Sequence, residues 1–338
     1  VVSDYSYSAG GVEQFVFEFI SRARSIYDLR LLTWDPATLA PDGVPKLYVH
    51  YGDLRPAIAE FERADVVLLM ASHNLRLLAV LTMQVLADRP QPLVTVLHTS
   101  GHSSPDSAAA DSQLSWLLQV LKRSARVVAV SEDVEASVLP LIEEEALKVS
   151  TIRNGARLSG RGRREIGGRR TTVSFIGRPH EQKGFPLFEK LAYELQGTGL
   201  QFQANTVSLP PPSNHSPIDF TYDLDEAGLR AFFDRTDLLV APYIRADGLP
   251  LALLEALNCG VPVVGFDSPG VGRLLRENGQ IVIPANYGAL REAVSSWARG
   301  ELLVKPPTQG RIAGWDEQMG HYMRLIEDVF SQSAPPVR

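Results

Sequence analysis

The sequence predicts an α/β protein made of two doubly wound domains, each built on a parallel sheet. Three observations carry this. A chain of 338 residues is longer than one ordinary α/β core uses and suits two. Short apolar runs alternate with amphipathic helical stretches along both halves, which is the pattern of βαβ units. Between the halves lies LSGRGRREIGGRR, residues 158–170, with five Arg, four Gly and no apolar periodicity, and it reads as a linker. A solvated basic loop explains that segment better than a phosphate site does.

Taken in order, the first half offers strand-like runs at Leu29–Thr33, Val66–Met70, Leu93–Leu97, Val127–Val130 and Val149–Ile152. Helical stretches at Val12–Ala23, Leu75–Leu86 and Ser112–Arg123 lie between them. Val1-Val2 reads as the end of a first strand that began before Val1. The second half repeats the scheme with strands at Thr172–Ile176, Gln201–Val207, Leu238–Ala241, Val261–Phe266 and Ile281–Ile283. Helices are expected at Pro186–Leu195, Glu226–Asp234, Ala252–Leu257 and Ala289–Ala298, and a last amphipathic one at Asp316–Phe330. LPPPSNHSP, residues 209–217, is a loop, because proline fixes φ and removes a donor. The expected division is 1–157, a linker 158–170, a second domain 171–311 and a C-terminal helix 312–330.

Composition narrows the partners. Apolar residues make up 45% and charged residues 21%, a globular balance. Residues 1–150 hold 12 Lys and Arg against 19 Asp and Glu, a net of -7. That acidic half is a poor match for nucleic acid or an anionic membrane. Cys259 stands alone, which excludes a disulfide framework and any cysteine-based zinc site. No run approaches a membrane span and no signal peptide is visible, so a cytoplasmic protein with at most peripheral membrane contact is expected.

Ligands of doubly wound sheets bind beyond the carboxyl ends of the strands, so the loops there matter most. The richest segment is 237–265, where an apolar run ends in Pro242 and a polar loop feeds a helix. Asp247 opens that loop and Glu255 follows eight positions later. A loop entering a helix leaves backbone N–H groups free for anionic oxygens. Gly248, Leu249, Pro250 and Leu251 suit close approach to phosphate, Asp247 a sugar hydroxyl and Glu255 a ribose diol. Glu255 sits among apolar neighbours, so it is buried and needs a partner. Cys259 reads as core.

Gly177-Arg178-Pro179-His180-Glu181-Gln182-Lys183-Gly184 leaves another strand. Arg178 and Lys183, beside a helix start, are suited to hold a departing diphosphate, whose charge grows in the transition state. A plain surface loop is the competing reading, and the strand-loop-helix context favours the functional one. Ser8-Ala9-Gly10-Gly11 opens the first helix, and here a ligand loop and a tight βα turn explain the glycines equally well. His98 follows LVTVL and can donate a hydrogen bond to a substrate hydroxyl, although a lone His is more often structural. His73, His102 and His180 receive no role. Asn154-Gly155 is most simply a turn. Asp223-Leu224-Asp225 resembles a metal motif, but Asp225 serves better as an N-cap and no carboxylate or His cluster supports a metal. Neither a dinucleotide fingerprint nor a P-loop is present, which removes the main support for hydride transfer and P-loop phosphoryl transfer.

Together these motifs resemble the retaining glycosyltransferases of family 4, which have the GT-B fold: two Rossmann-like domains facing a cleft. The resemblance covers nearly the whole chain. Gly10-Gly11-Val12-Glu13 is similar to the family's N-terminal glycine loop, and His98 to its cleft histidine. Asn154-Gly155 matches its NG before the linker, and Gly177-Arg178 through Lys183-Gly184 its diphosphate motif. Asp247 to Glu255 with EALNCGVPVV resembles its acid-x7-acid motif, the most specific of the set. Pro269-Gly270-Val271 matches a following turn, and Trp315 with the last helix the C-terminal crossover. Asp247 departs from the usual Glu by one methylene, so its reach to the transferred sugar and the donor preference are expected to differ.

The resemblance implies a nucleotide-diphosphate sugar, such as a UDP- or GDP-sugar, bound mainly by the second domain. A small-molecule or glycan acceptor binds mainly to the first. It implies no cofactor and no metal. Donor binding falls to Gly10, Gly11, Gly177, Arg178, Lys183, Gly248, Leu249, Pro250, Leu251 and Glu255, and catalysis to His98, Arg178, Lys183 and Asp247. The competing readings are a GT-B sugar-nucleotide epimerase or phosphorylase-like enzyme, and a degenerate glycan-binding partner subunit. Retention of the charged residues favours the transferase.

Overall fold

A computed structural model describes residues 1–3, 11–34, 43–71, 74–88, 91–99, 108–158, 160, 171–206, 216–244, 248–308 and 312–333. The chain divides into two compact units, Val1–Asn154 with Trp315–Arg338, and Gly155–Gly314.

The first unit begins with β1 (Val2–Ser3), α1 (Gly11–Ala23), β2 (Leu31–Thr33), β3 (Lys46–Tyr48) and α2 (Arg55–Arg63). It continues with β4 (Val67–Ala71), α3 (Asn74–Leu86), β5 (Leu93–Leu97), α4 (Ala108–Arg123), β6 (Arg126–Ala129), α5 (Glu132–Val138) and β7 (Val149–Thr151). The strands pair in parallel in the order β3-β2-β1-β4-β5-β6-β7. Every residue of β4 and β5 is buried, as expected of parallel strands covered by helices on both faces.

The second unit holds β8 (Thr172–Ile176), α6 (Phe185–Glu194), β9 (Gln201–Thr206), β10 (Ile218–Tyr222), α7 (Glu226–Arg235) and β11 (Leu238–Ala241). Then come α8 (Leu251–Asn258), β12 (Val263–Phe266), α9 (Gly272–Glu277), β13 (Ile281–Ile283) and α10 (Tyr287–Ala298). Its parallel sheet runs β10-β9-β8-β11-β12-β13. In each sheet the strand order reverses once, between β1 and β4 and between β8 and β11. Such a reversal opens a crevice at the carboxyl ends of the two strands.

After Gly314 the chain returns to the first unit as α11 (Trp315–Ser333). Phe15 of α1 meets Trp315 and Tyr322 edge-on, with centroids 6.0 and 5.0 Å away, and such aromatic contacts anchor α11 on α1. Arg22 adds ion pairs to Glu18 and to Asp316.

The strands expected at Leu93–Leu97, Thr172–Ile176, Leu238–Ala241 and Ile281–Ile283 form at those residues. The run expected from Val261 starts at Val263, because Pro262 has no N–H to give a ladder. Asp225 caps α7, accepting the Gly228 N–H at 2.7 Å. Asn154-Gly155 is not a turn: it is the covalent junction between the units. Five elements lacked a readable signal: β3, α2, α5, β10 and α9. The three-residue β3 and the edge strand β10 are largely solvated, and α2 buries only Ala57 and Phe61, so their apolar pattern is thin. All of the linker except Leu158 and Gly160 lies outside the described residues, as do residues 209–215 of the Pro-rich loop.

Candidate functional site

The site is built where β8 and β11 leave the sheet side by side, in register through Leu238 with Val173 and Leu239 with Ser174. Beyond β8 the chain turns at Gly177, whose φ of +142° suits only glycine, and its N–H reaches the Asn205 carbonyl at 3.1 Å. His180 then caps a 3-10 turn over Glu181–Lys183, its Nδ1 accepting the Gln182 N–H at 3.3 Å. Gly184 closes the loop at φ +68°, and a Cβ there would lie 1.8 Å from the Pro242 carbonyl oxygen. The loop is therefore pressed flat against the exit of β11. Three further contacts close the seam. The Ile244 N–H donates to Gln182 O at 3.0 Å. The Tyr243 hydroxyl donates to Ile176 O at 3.2 Å. Lys183 Nζ sits 4.3 Å from the centre of the Tyr243 ring.

This seam sets the electrostatics. Burial, reinforced by the Arg178 charge, pushes the Lys183 ammonium down to about 8. Arg178 itself is exposed. Both cations therefore stand at the crevice where the strand order reverses, next to the first turn of α6. An anion arriving there meets two positive charges.

The second arm of the site leaves β11. Gly248, Leu249 and Pro250 are buried, and Pro250 caps α8. Glu255 is 3% exposed on that helix. Its Oε1 accepts the Arg157 N–H at 2.8 Å and its Oε2 the Leu158 N–H at 2.7 Å. The Arg157 guanidinium approaches to 3.7 Å. Burial pushes this carboxyl up, and the two N–H donors and Arg157 pull it back. Each oxygen keeps a lone pair for a further donor. Asn258, one turn on, donates to Leu158 O at 2.9 Å and accepts the Ile312 N–H at 3.2 Å. One helix thus grips both segments through which the chain enters and leaves the second unit. That grip places Gly155–Leu158 in this unit.

In the first unit, Gly11 opens α1 and is exposed. His98 follows β5 and is almost wholly buried, with Nε2 3.4 Å from Met70 Sδ and its ring edge-on to Phe15 at 5.0 Å. Burial pushes the imidazole down to about 3, so it is neutral at ordinary pH.

Of the sequence-derived residues, the structure gathers Gly177, Arg178, Lys183 and the 248–255 segment on two adjoining strand exits of one sheet. Gly11 and His98 belong to the other unit. Gly10 and Asp247 lie outside the described residues. Tyr243, Arg157 and Asn258 were missed. Tyr243 carried one faint signal, an aromatic residue immediately after a strand-ending proline. Nothing in the sequence says that β8 and β11 are neighbours. Among the described residues, no group of three or more His, Cys, Asp or Glu side chains is placed to hold a metal, and no helix is long and apolar enough to cross a membrane.

Comparison with known proteins adds to this geometry. Residues 9–159 match the model of glycosyltransferase family 4, and residues 170–299 that of glycosyl transferases group 1. The chain is 25% identical over 275 residues to a phosphatidyl-myo-inositol mannosyltransferase of Mycobacterium leprae, covering 74% of this chain and 70% of that protein. Among solved structures, HepE from Anabaena, in complex with UDP and glucose, superposes with a TM-score of 0.73 at 15% identity, over 96% of this chain and 98% of that one. Sucrose-phosphate synthase from Thermosynechococcus elongatus gives 0.71 at 16%, over 98% and 96%.

Proposed function

The chain belongs to the group 1/family 4 glycosyltransferases of GT-B fold, and from that premise we propose that it moves a sugar from a nucleotide-diphosphate sugar to an acceptor hydroxyl with retention of anomeric configuration. The observation that carries this reading is the cation pair Arg178 and Lys183, set where the strand order of the second sheet reverses. Charge builds on the leaving diphosphate as the glycosidic C–O bond breaks, and fixed cations in a partly buried site are worth most there. The acceptor oxygen then bonds to the anomeric carbon from the face the diphosphate left, and the leaving phosphate takes the acceptor proton. No protein nucleophile is required.

The first turn of α8 and Gly248 are assigned to the donor, and Glu255 to the ribose diol through its remaining lone pairs. Asp247 is assigned to the transferred sugar, with Gly10 and Gly11 at the phosphates. Neutral His98 is assigned as a hydrogen-bond donor to a sugar hydroxyl. A UDP-sugar is the first donor to try, since HepE, a structural neighbour, binds UDP and glucose. The mannosyltransferase relative makes a GDP-sugar the second, because mannosyl groups are commonly carried on GDP.

A thermal-shift panel of UDP, GDP, ADP and dTDP tests the reading, because a ligand bound only by the folded state raises the midpoint. A clear rise with one nucleotide, lost in Lys183→Ala, supports it. No rise with any nucleotide, or epimerised donor formed without an acceptor, would overturn it. In turnover, Arg178→Ala and Lys183→Ala each lose at least about tenfold in kcat/KM, about 1.4 kcal/mol of transition-state stabilisation.

A further inference from the structure

Lys183 needs a reason to stand where it does. Its side chain is partly buried beside another cation, two conditions that disfavour an ammonium. A long, flexible side chain under such pressure turns outward to water unless something holds it. The surroundings offer a holder. Tyr243 is 2% exposed, and burial pushes its phenol up, so the hydroxyl stays protonated and donates to Ile176 O at 3.2 Å. The backbone on either side of Tyr243 is fixed as well: Gly184 is flush against Pro242, and Ile244 N–H is tied to Gln182 O. Lys183 therefore lies over a ring that cannot rotate away.

We propose that Tyr243 is a positioning residue of the donor site, its ring face holding the Lys183 ammonium and its hydroxyl fixing that ring to the exit of β8. The ring's negative face attracts the cation, most strongly where water is scarce. Arg178, one residue beyond Gly177, leaves the same strand exit. The importance of this device to catalysis rests on the diphosphate reading above; the device itself does not.

The test separates ring electronics from shape. Position 243 is replaced by Phe, by 4-fluorophenylalanine and by pentafluorophenylalanine, which nearly keep the ring's volume while draining its face of charge. Nitrogen-15 NMR of Lys183 Nζ then follows its titration with no ligand present. Isothermal titration with inorganic pyrophosphate and with UDP follows binding from pH 7 to 9.5, with Lys183→Ala in parallel. The Lys183 midpoint is expected to fall stepwise with fluorination, and anion affinity to drop about fivefold between Phe and the pentafluoro ring, about 1 kcal/mol. Tyr243→Phe is expected to lose part of the affinity, because the bond from the hydroxyl to Ile176 O is gone, and an affinity equal to that of the unchanged protein would remove the hydroxyl's part in the proposal. A Lys183 midpoint that ignores fluorination overturns the proposal. A midpoint that follows it, with binding unaffected even by Lys183→Ala, leaves the positioning intact and removes the diphosphate reading instead. A pentafluoro protein that does not fold is replaced by the 4-fluoro ring, which must shift the midpoint the same way or the proposal fails.

Discussion

The carboxylate of Glu255 accepts the backbone N–H of Leu158 at 2.7 Å, across 97 positions of sequence. With Arg157 N–H on the other oxygen, this acid fastens the segment entering the second unit to α8, the helix that follows the loop after β11. An amide can accept only through its oxygen, so Glu255→Gln leaves one buried N–H facing an NH2. The expected loss is about 1–3 kcal/mol. Urea unfolding should show a lower midpoint with an unchanged slope, and an unchanged midpoint would mean that these N–H groups find other acceptors.

Lys183 predicts the alkaline limb of activity. The ammonium is lost as pH rises through about 8, so turnover should fall there rather than near the ordinary lysine value of 10.5. Arg178 contributes to that depression, second to burial. Arg178→Ala should therefore move the limb upward while lowering the maximum. Measuring kcat/KM from pH 6 to 10 in both proteins checks this, and a limb that stays in place would remove Lys183 as the titrating group.

His98 predicts acid sensitivity of the first unit. In the unfolded chain it binds a proton near 6.5, in the folded chain only near about 3. Between those values the unfolded state binds more protons, so stability rises with pH by up to about 1.4 kcal/mol per unit and is lost on acidification. His98→Gln should flatten this part of the stability profile, read from denaturant midpoints between pH 4 and 7.

Gly184 and Gly197 separate strain from collision. Both have positive φ, +68° and +82°, but a Cβ at Gly197 meets nothing within 4 Å, whereas at Gly184 it meets Pro242 O. Gly197→Ala should cost about 1–2 kcal/mol through the backbone alone. Gly184→Ala should cost more and also lower kcat, because the loop carrying Lys183 must lift off β11. Equal thermal shifts and unchanged turnover in the two variants would contradict the tight seam.

The sequence by itself determined the two parallel sheets and most of their strands. Central strands such as LVTVL and TVSFI are buried on both faces, so their composition is nearly unbroken and readable. The N-cap of α7 was equally legible, because capping is local chemistry. Edge strand β10 and helix α2 were not, because half-solvated elements carry little apolar signal. The sequence also foresaw that Glu255 must have a partner, but only tertiary structure decided that the partner is the backbone at Arg157 and Leu158. The same holds for Tyr243 beneath Lys183. Their contact exists because a crossover makes β8 and β11 neighbours although 61 residues lie between the end of β8 and the start of β11. Periodicity reports which face of an element is buried; which elements become neighbours is fixed only when the sheet assembles.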